Sequence, residues 1–488
     1  MTDELPEGWI ECKTGDISQI VGGGTPDARK EENFSTESGI PWLTPADLSG
    51  YEGIYISRGK RFLTKRGFES SSAKLMPKGA VLFSSRAPIG YVAVAANEIS
   101  TNQGFKSFVC SDAVLSEYLY FWLKYAKPLA EELAAGTTFA EISGTNAAKI
   151  PMLLPPLREQ RRIAETLEAL LAEVEQCKGR MAKIPVLLKR FRQSVLAAAC
   201  SGRLTADWRE QNQYTDAFEQ NGAGQTPENV DLPPSWDWIL SSDAFEFVTS
   251  GSRGWAQYYA DSGAMFLRVG NLNHESIALD LRSIQHVCPP QNAEGVRTRV
   301  QRGDILISIT ADVGMVAFVD HEIGEAYINQ HVALARPHGD INRRYLAYFL
   351  AAKNGGQQQF LNLQRGATKV GLGLEDIRRI WIARPPLTEQ EEIVRRIEAL
   401  LALADRIETG YDEGKRRIDG LTQSILAKAF RGELVPTEAE LAAREGRDYE
   451  SAAQLLERIR SLKTDAVSDA TDGRHGRKRQ KRRYLTKL

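Results

Sequence analysis

The chain has 488 residues, with 62 Lys or Arg against 63 Asp or Glu, a formal net charge of −1, and 42% hydrophobic residues. That length holds two or three domains with full cores, and near-neutrality by itself advertises no nucleic-acid partner, although one sum hides local fields. Five cysteines (12, 110, 177, 200, 288) lack metal or disulfide spacing, and neither a signal peptide nor an apolar run of about 18 residues is read, so reduced thiols, a cytoplasmic location and no membrane span are expected.

Residues 1–157 read as a first mixed domain, opening with Leu5-Pro6-Glu7-Gly8-Trp9. The run Gly22-Gly23-Gly24 is followed by Thr25-Pro26 where a phosphate-binding helix would begin, which predicts a turn rather than a cofactor loop. Trp42-Leu43, Gly79-Ala80-Val81-Leu82-Phe83-Ser84 and Gly90-x-Val92-Ala93 are short, β-branched or aromatic, and read as strands, whereas 116–133 reads as helix. Between Arg58 and Arg86 stand eight basic residues (58, 60, 61, 65, 66, 74, 78, 86) and a single acid, Glu69. Such a cluster is either a solvated face or a phosphate-contacting surface; preceding a helical spacer, it favours the second.

Residues 158–210 follow as a long helix introduced by Pro155-Pro156-Leu157-x-Glu159-Gln160. The prolines suit a helix start, Glu159 suits the positive end of the helix dipole, and Gly202 suits a C-terminal cap. Ile163, Leu167, Leu170, Val174, Cys177, Met181, Ile184, Leu188, Phe191 and Val195 alternate spacings of four and three, an a/d seam that argues for a coiled coil over an ordinary core helix. Pro185 should kink this helix. Residues 211–231, rich in Gln, Asn, Gly and Thr, read as a flexible linker.

Residues 232–387 then repeat the frame. Leu232-Pro233-Pro234-Ser235-Trp236 matches the opening of the chain. Phe266-Leu267-x-x-x-Asn271-Leu272 matches Trp42-Leu43-x-x-x-Asp47-Leu48, and Asn329-Gln330 matches Asn102-Gln103. Gly303–Ser308, Gly314–Ala317 and Gly366-x-Thr368 match Gly79–Ser84, Gly90–Ala93 and Gly136-x-Thr138, and 342–361 reads as helix. Residues 388–436 repeat the long helix: Pro385-Pro386-Leu387-x-Glu389-Gln390 recurs at an offset of 230, and 18 of the 50 positions 155–204 and 385–434 are identical. Unrelated segments would share roughly three. The second seam is Ile393, Ile397, Leu400, Ala404, Ile407, Tyr411, Gly414, Ile418, Leu421 and Ile425, with Gly414 a weak point opposite the Pro185 region. An internal repeat of this kind implies two equivalent modules with pseudo-twofold symmetry. Residues 437–488 comprise a charged helix with Leu455, Leu456, Ile459 and Leu462 on one face. A tail follows with seven Arg or Lys between Arg474 and Arg483, either a solubilising end or an arm adding nonspecific DNA affinity.

No catalytic constellation stands out, and although carboxylates are abundant enough to supply an acid–base pair, nothing singles one out. The sequence contains no Asn/Asp-Pro-Pro-aromatic motif, no GxxxxGK[ST] loop and no ligand spacing among the six histidines, of which His331 beside Gln330 is the one to watch.

The paired Pro-Pro-Leu-x-Glu-Gln helices, Gln193-Ser194-x-Leu196-Ala197 and Gln423-Ser424-x-Leu426-Ala427, the Leu-Pro-x-x-Trp openings, Gly23-Gly24-Thr25-Pro26, Thr101-Asn102-Gln103 and Gly136-Thr137-Thr138 together resemble the specificity subunits of type I restriction–modification enzymes over roughly residues 5–462. The second domain departs where Ser250-Gly251-Ser252-Arg253-Gly254-Trp255 replaces the Gly-Gly-Thr-Pro turn, which puts its DNA contacts in doubt. The resemblance implies an α+β fold with two target-recognition domains, each followed by a long helix, the two helices pairing as an antiparallel coiled coil. It also implies a non-catalytic bacterial or archaeal subunit in which each domain reads half of a bipartite double-stranded DNA target. Two methyltransferase subunits, and then restriction/translocase subunits, would dock on it. The chain itself would bind no cofactor or metal; S-adenosylmethionine, ATP and Mg2+ are expected on the partners. A strut of about 48 Å suits half-sites about one helical turn apart. Arg58, Lys60, Arg61, Lys65 and Arg66 are expected to contact phosphates, and Arg86, Gln103 and Lys106 base edges. Arg268, Arg297, Arg299, Gln330, Arg365 and Lys369 are the counterparts in the second domain. Gln103 and Gln330 also suit structural hydrogen bonds in the shared frame. The rival readings are a stand-alone architectural or regulatory DNA-binding protein, a methyltransferase with disguised motifs, and a coiled-coil scaffold without nucleic acid.

Overall fold

The computed structural model describes residues 5–135, 140–212, 232–289, 293–364 and 371–461. The chain divides into two units: residues up to Gly179 together with those from Lys415 onward, and Arg180–Gly414. Each is sheet-rich and carries long helical segments.

In the first unit the strand Ile10–Lys13 pairs antiparallel with Pro151–Leu154, closing the domain on itself. One five-stranded sheet runs in the order Ser18–Gly22, Phe105–Cys110, Val81–Ser85, Ile89–Ala95 and Tyr55–Ile56. A second runs Phe34–Ser35, Arg61–Leu63, Ile40–Leu43, Ile99–Thr101 and Leu75–Met76. Val81–Ser85 is buried along its whole length, as its unbroken apolar run followed by two serines allows for a central strand. The sequence-predicted helix over 116–133 is two helices, Ser116–Tyr125 and Lys127–Glu132. Proline at 128 is tolerated in the first turn of the second, where no intrahelical donor is needed.

The second unit repeats this plan. Asp237–Leu240 pairs antiparallel with Trp381–Arg384. Its sheets run Phe245–Ser250, Val332–Pro337, Ile305–Ser308, Val316–Phe318 and Tyr259–Ala260, Gln285–Val287, Ala264–Leu267, Ala326–Ile328. The repeated Trp42-Leu43 and Phe266-Leu267 segments occupy the same place, each on a strand running parallel to the one that leads into Asn102 or Asn329. Helix Arg343–Ala351 starts at Asn342, whose side-chain oxygen accepts from the Arg344 and Tyr345 amides at 3.1 and 3.0 Å.

The first long helical region is broken into Leu157–Met181 and Ile184–Cys200, with Pro185 in the first turn of the second piece. The second, Leu387–Phe430, is continuous over 44 residues, straight through Gly414. Interior glycine costs a helix only about 1 kcal/mol relative to alanine, whereas proline removes a hydrogen bond and clashes with the preceding turn for about 3 kcal/mol. In the first unit Ile163, Ala164 and Leu167 share a core with Leu426, Ala429 and Phe430, and Phe430 lies edge-on to Trp122 and Tyr118 at 4.8 and 5.6 Å. In the second unit Val195, Ala199 and Cys200 share a core with Ile393, Val394 and Ile397. Val174 and Leu188 are buried, whereas Leu170, Leu400, Ile418 and Ile425 are half-buried. Ile407 and Leu421 are 46% and 43% exposed. The buried positions of the second helix include 393 and 397 near its start, on the 4-3 series, and 426 and 429 near its end, each one residue beyond the series. A straight α-helix drifts about 20° per heptad from a 3.5 repeat, so four heptads displace the stripe by nearly one residue.

The Pro-Pro-Leu-x-Glu-Gln motifs are locks between each helix and its domain. Glu159, Gln160, Glu389 and Gln390 are all buried. Trp9 Nε1 donates to Glu159 at 2.8 Å, and Trp236 Nε1 donates to Glu389 at 2.9 Å. Gln160 accepts from the Leu115 amide at 2.9 Å, and Gln390 from the Asn342 amide at 2.8 Å, so each glutamine holds the start of the domain's main helix. Glu159 also accepts from the Glu438 amide at 2.8 Å, whereas Glu389 takes Thr205 Oγ1 at 2.7 Å and the Arg209 guanidinium. Burial raises the pKa of Glu159 against these hydrogen bonds. The dipole role expected for these carboxylates is thus secondary: they are buried acceptors for two tryptophans.

Candidate nucleic-acid interface

The basic cluster of the first domain is built on the strand Arg61–Leu63, the loop before it and the short helix Lys65–Glu69. Asp47 shapes this loop: its carboxylate accepts from the Thr44 amide at 2.8 Å and from the Lys60 amide at 3.0 Å. Gly59 is required there, since a Cβ would stand 2.5 Å from the Trp42 carbonyl oxygen. The Arg61 guanidinium lies over the Phe34 and Trp42 rings, 4.4 and 5.5 Å from their centroids, and Arg58 lies 5.9 Å from that of Phe62. Stacking of this kind fixes a guanidinium while leaving its N–H edge available. Lys65 and Arg66 face Glu69 and Glu32 at 3.9 and 3.0 Å, both pairs exposed and therefore weak. A cleft of about 540 Å³ beside this loop is lined by Tyr51, Tyr55, Arg58 and Lys60 among others.

Arg86 and Lys106 converge on one carboxylate. Arg86 Nη1 donates to Glu141 at 3.4 Å, and Lys106 Nζ donates to Glu141 at 3.2 Å and to Ser85 Oγ at 3.5 Å. Nothing in the sequence distinguishes Glu141 from the other 62 acidic residues, and it was not among the expected site residues. Gln103 is exposed and accepts a hydrogen bond from Thr25 of the Gly-Gly-Thr-Pro segment. The Gly-Gly-Thr-Pro segment, to which the structure assigns no turn, lies against the Thr101-Asn102-Gln103 segment so closely that a Cβ on Gly23 would stand 2.0 Å from the Asn102 oxygen. Gly136-Thr137-Thr138 lies outside the described residues.

In the second domain Arg297 donates to Thr249 and, at 2.6 Å, to the Ser250 carbonyl, so it braces the strand that leads into the altered segment. Trp255 stacks on Phe266 with centroids 4.9 Å apart, where the first domain sets Arg61 over Trp42. Arg299 is exposed and Arg268 half-buried. Gln330 Nε2 lies 2.8 Å from His331 Nε2, and His331 Nδ1 meets Thr310 Oγ1. Arg365, Lys369, Gly366-x-Thr368, residues 213–231 of the linker and the basic tail lie outside the described residues. Among the described residues no cluster of His, Cys, Asp or Glu could hold a metal ion, and no helix is long and apolar enough to cross a membrane.

Planar guanidinium groups, ammonium groups and amides on a sheet-rich frame are the chemistry of phosphate and base-edge contact. A family model described as the type I restriction modification DNA specificity domain matches residues 6–185 and 297–413. The EcoKI specificity subunit of Escherichia coli (strain K12) is 28% identical over 482 residues, covering 94% of this chain and 96% of that protein. The MjaIX specificity subunit of Methanocaldococcus jannaschii is 41% identical over 167 residues, a match that spans 34% of this chain and only 38% of that relative. Among solved structures, a chain from work titled "Structural basis underlying complex assembly and conformational transition of the type I R-M system" shares the fold. It has a TM-score of 0.64 and 21% identity, and the match covers 88% of this chain and 100% of that one. With two sheet-rich domains on one duplicated frame and the family model matching well over half its length, the chain belongs to the type I restriction–modification DNA specificity family.

Proposed function

We propose that this chain is the non-catalytic subunit that gives a type I restriction–modification complex its DNA sequence, with each domain reading one half of a bipartite duplex target. The observation that carries the reading is the duplication down to single hydrogen bonds: Trp9 to Glu159 with Gln160 to Leu115, and Trp236 to Glu389 with Gln390 to Asn342. Two modules joined to their helices by the same Trp–Glu and Gln–backbone bonds, but differing in surface chemistry, suit two half-sites of different sequence. The recognition domains are residues 1–157 and 232–387, the helical regions 158–210 and 388–436, joined by the 211–231 linker and followed by the 437–488 segment. The helical regions pair antiparallel as a coiled coil about a pseudo-twofold axis and set the spacer. Supporting this reading, Arg192 bonds Asp405 and Glu408 at 2.7 Å while Val195, further along, shares a core with Ile393 and Ile397, an order of contacts expected of helices running in opposite directions.

Arg58, Lys60, Arg61, Lys65 and Arg66 contact phosphates in this reading, and Arg86 and Lys106 meet bases. Arg268, Arg299, Gln330, Arg365 and Lys369 act in the second domain, and Arg297 acts there through its brace on the Thr249–Ser250 strand end. Gln103 acts through the Gly-Gly-Thr-Pro segment it holds. Two adenine-N6 methyltransferase subunits and the restriction/translocase subunits dock on the chain in the cytoplasm, and S-adenosylmethionine, ATP and Mg2+ belong to them. The test is the methylation pattern of the host genome, read by single-molecule sequencing with and without this gene. A bipartite motif carrying N6-methyladenine in both halves should vanish on deletion. An unchanged pattern in cells expressing the partner methyltransferase refutes the reading.

A further inference from the structure

The duplication supplies an internal comparison around Arg86 and its counterpart in the second domain. In the first domain Ile142 donates its backbone N–H to the Ser85 carbonyl at 3.0 Å, and Arg86 and Glu141 form an antiparallel bridge. In the second, Leu372 donates to Ile309 at 2.9 Å, and Thr310 and Gly371 form the matching bridge. Lys106 stands between Phe83 and Gly22 in the first sheet, and Ala333 stands between Ile307 and Ser250 in the second. Backbone pairing therefore equates Arg86 with Thr310, Lys106 with Ala333 and Glu141 with Gly371.

The frame is the same and the chemistry is not. The first domain places a carboxylate between a guanidinium and an ammonium; at the matching positions the second has Thr310, Ala333 and Gly371, with the Thr310 hydroxyl bonded to His331. Because the second domain makes the same backbone bonds without any charge at these positions, the fold does not require the first domain's triad. Arg86 and Glu141 are 39% and 38% exposed, so as an ion pair alone they contribute little stability. Lys106, at 16%, is held more deeply beneath them.

We infer that Arg86, Lys106 and Glu141 form one specificity-determining cluster that reads a G·C base pair, with Glu141 a determinant in its own right. This deepens the DNA-reading function and rests on it. Guanine presents the acceptors O6 and N7 in the major groove, and its cytosine partner presents the N4 amino donor. Arg86, oriented by Glu141, supplies the planar fork for the first, and the remaining lone pairs of Glu141 accept from the second. The second domain, with Thr310, Ala333 and Gly371 at the matching positions, has no such charged set there.

The test uses the full chain and a duplex pool randomised over the target, comparing wild type with Glu141→Gln and Arg86→Lys. Each variant should lose about tenfold of its preference for G·C at the same single position of one half-site. The other half-site and the dependence of affinity on salt should not change. Binding that tightens or weakens equally for all sequences marks Glu141 as a mere competitor of phosphate and overturns the inference. So does an unaltered profile, or loss at different positions in the two variants. A wild-type chain that enriches no sequence refutes the DNA-reading function itself, whereas an enriched motif with indifferent variants refutes only the cluster.

Discussion

Trp9→Phe removes the indole N–H that reaches Glu159 at 2.8 Å while keeping most of the aromatic bulk. Glu159 is fully buried, and the other donor bonded to it is the Glu438 amide at 2.8 Å. Deleting a hydrogen bond to a charged group should therefore cost about 2–3 kcal/mol at pH 7. Trp236→Phe makes the same change at Glu389, but that carboxylate keeps Thr205 and the Arg209 guanidinium, so about 1 kcal/mol is expected there. Urea unfolding followed by far-UV circular dichroism measures both. The pH dependence adds a second readout. Burial raises the native pKa of Glu159 above its ordinary value, so folding favours the protonated form. The contribution of this group is most favourable below the ordinary carboxylate range and declines as pH rises through the raised native value. The Trp9 bond opposes that decline, because it stabilises the charged form. The cost of Trp9→Phe should accordingly be larger at pH 7 than at pH 4, where a neutral acid accepts a weaker bond. A cost independent of pH, or a Trp236→Phe variant damaged as much as Trp9→Phe, would refute the reasoning.

Gly23→Ala should lower stability by about 3 kcal/mol or more, because its Cβ would stand 2.0 Å from one backbone oxygen and 2.4 Å from another. Gly22→Ala, with nothing within 4 Å of the new methyl, should leave the denaturation midpoint nearly unchanged. Lys65→Ala should weaken DNA binding for every sequence alike and reduce the salt slope by about 0.9, measured by titration at several salt concentrations; a change confined to one base position contradicts a phosphate role. Hydrogen bonds from Arg395 and Arg396 hold Glu392 down to about 2, against burial. Its stabilising contribution is therefore complete above about pH 4.5 and lost as pH falls towards 2. Stability curves of wild type and Glu392→Gln should separate above that window and converge below it.

The sequence by itself determined the architecture. A repeat of 18 identities in 50 positions specified two modules, and the 4-3 apolar stripes specified where the long helices run, since both signals are local or periodic and survive without coordinates. Proline chemistry likewise located the break before residue 185. Tertiary structure alone decided which repeated residues act together. Glu159 and Glu389 looked like helix-dipole residues, because helix position is visible in a sequence and burial against Trp9 and Trp236, some 150 residues away, is not. The near-equal recurrence of both tryptophans and both glutamates, at offsets of 227 and 230, was the one signal that could have coupled them. Arg86 and Lys106 were legible as cations, but the acid that joins them was not. Glu141 reaches them only because a strand end, a neighbouring strand and a returning loop pair their backbones, and pairing across a sheet leaves no mark on the spacing of the chain.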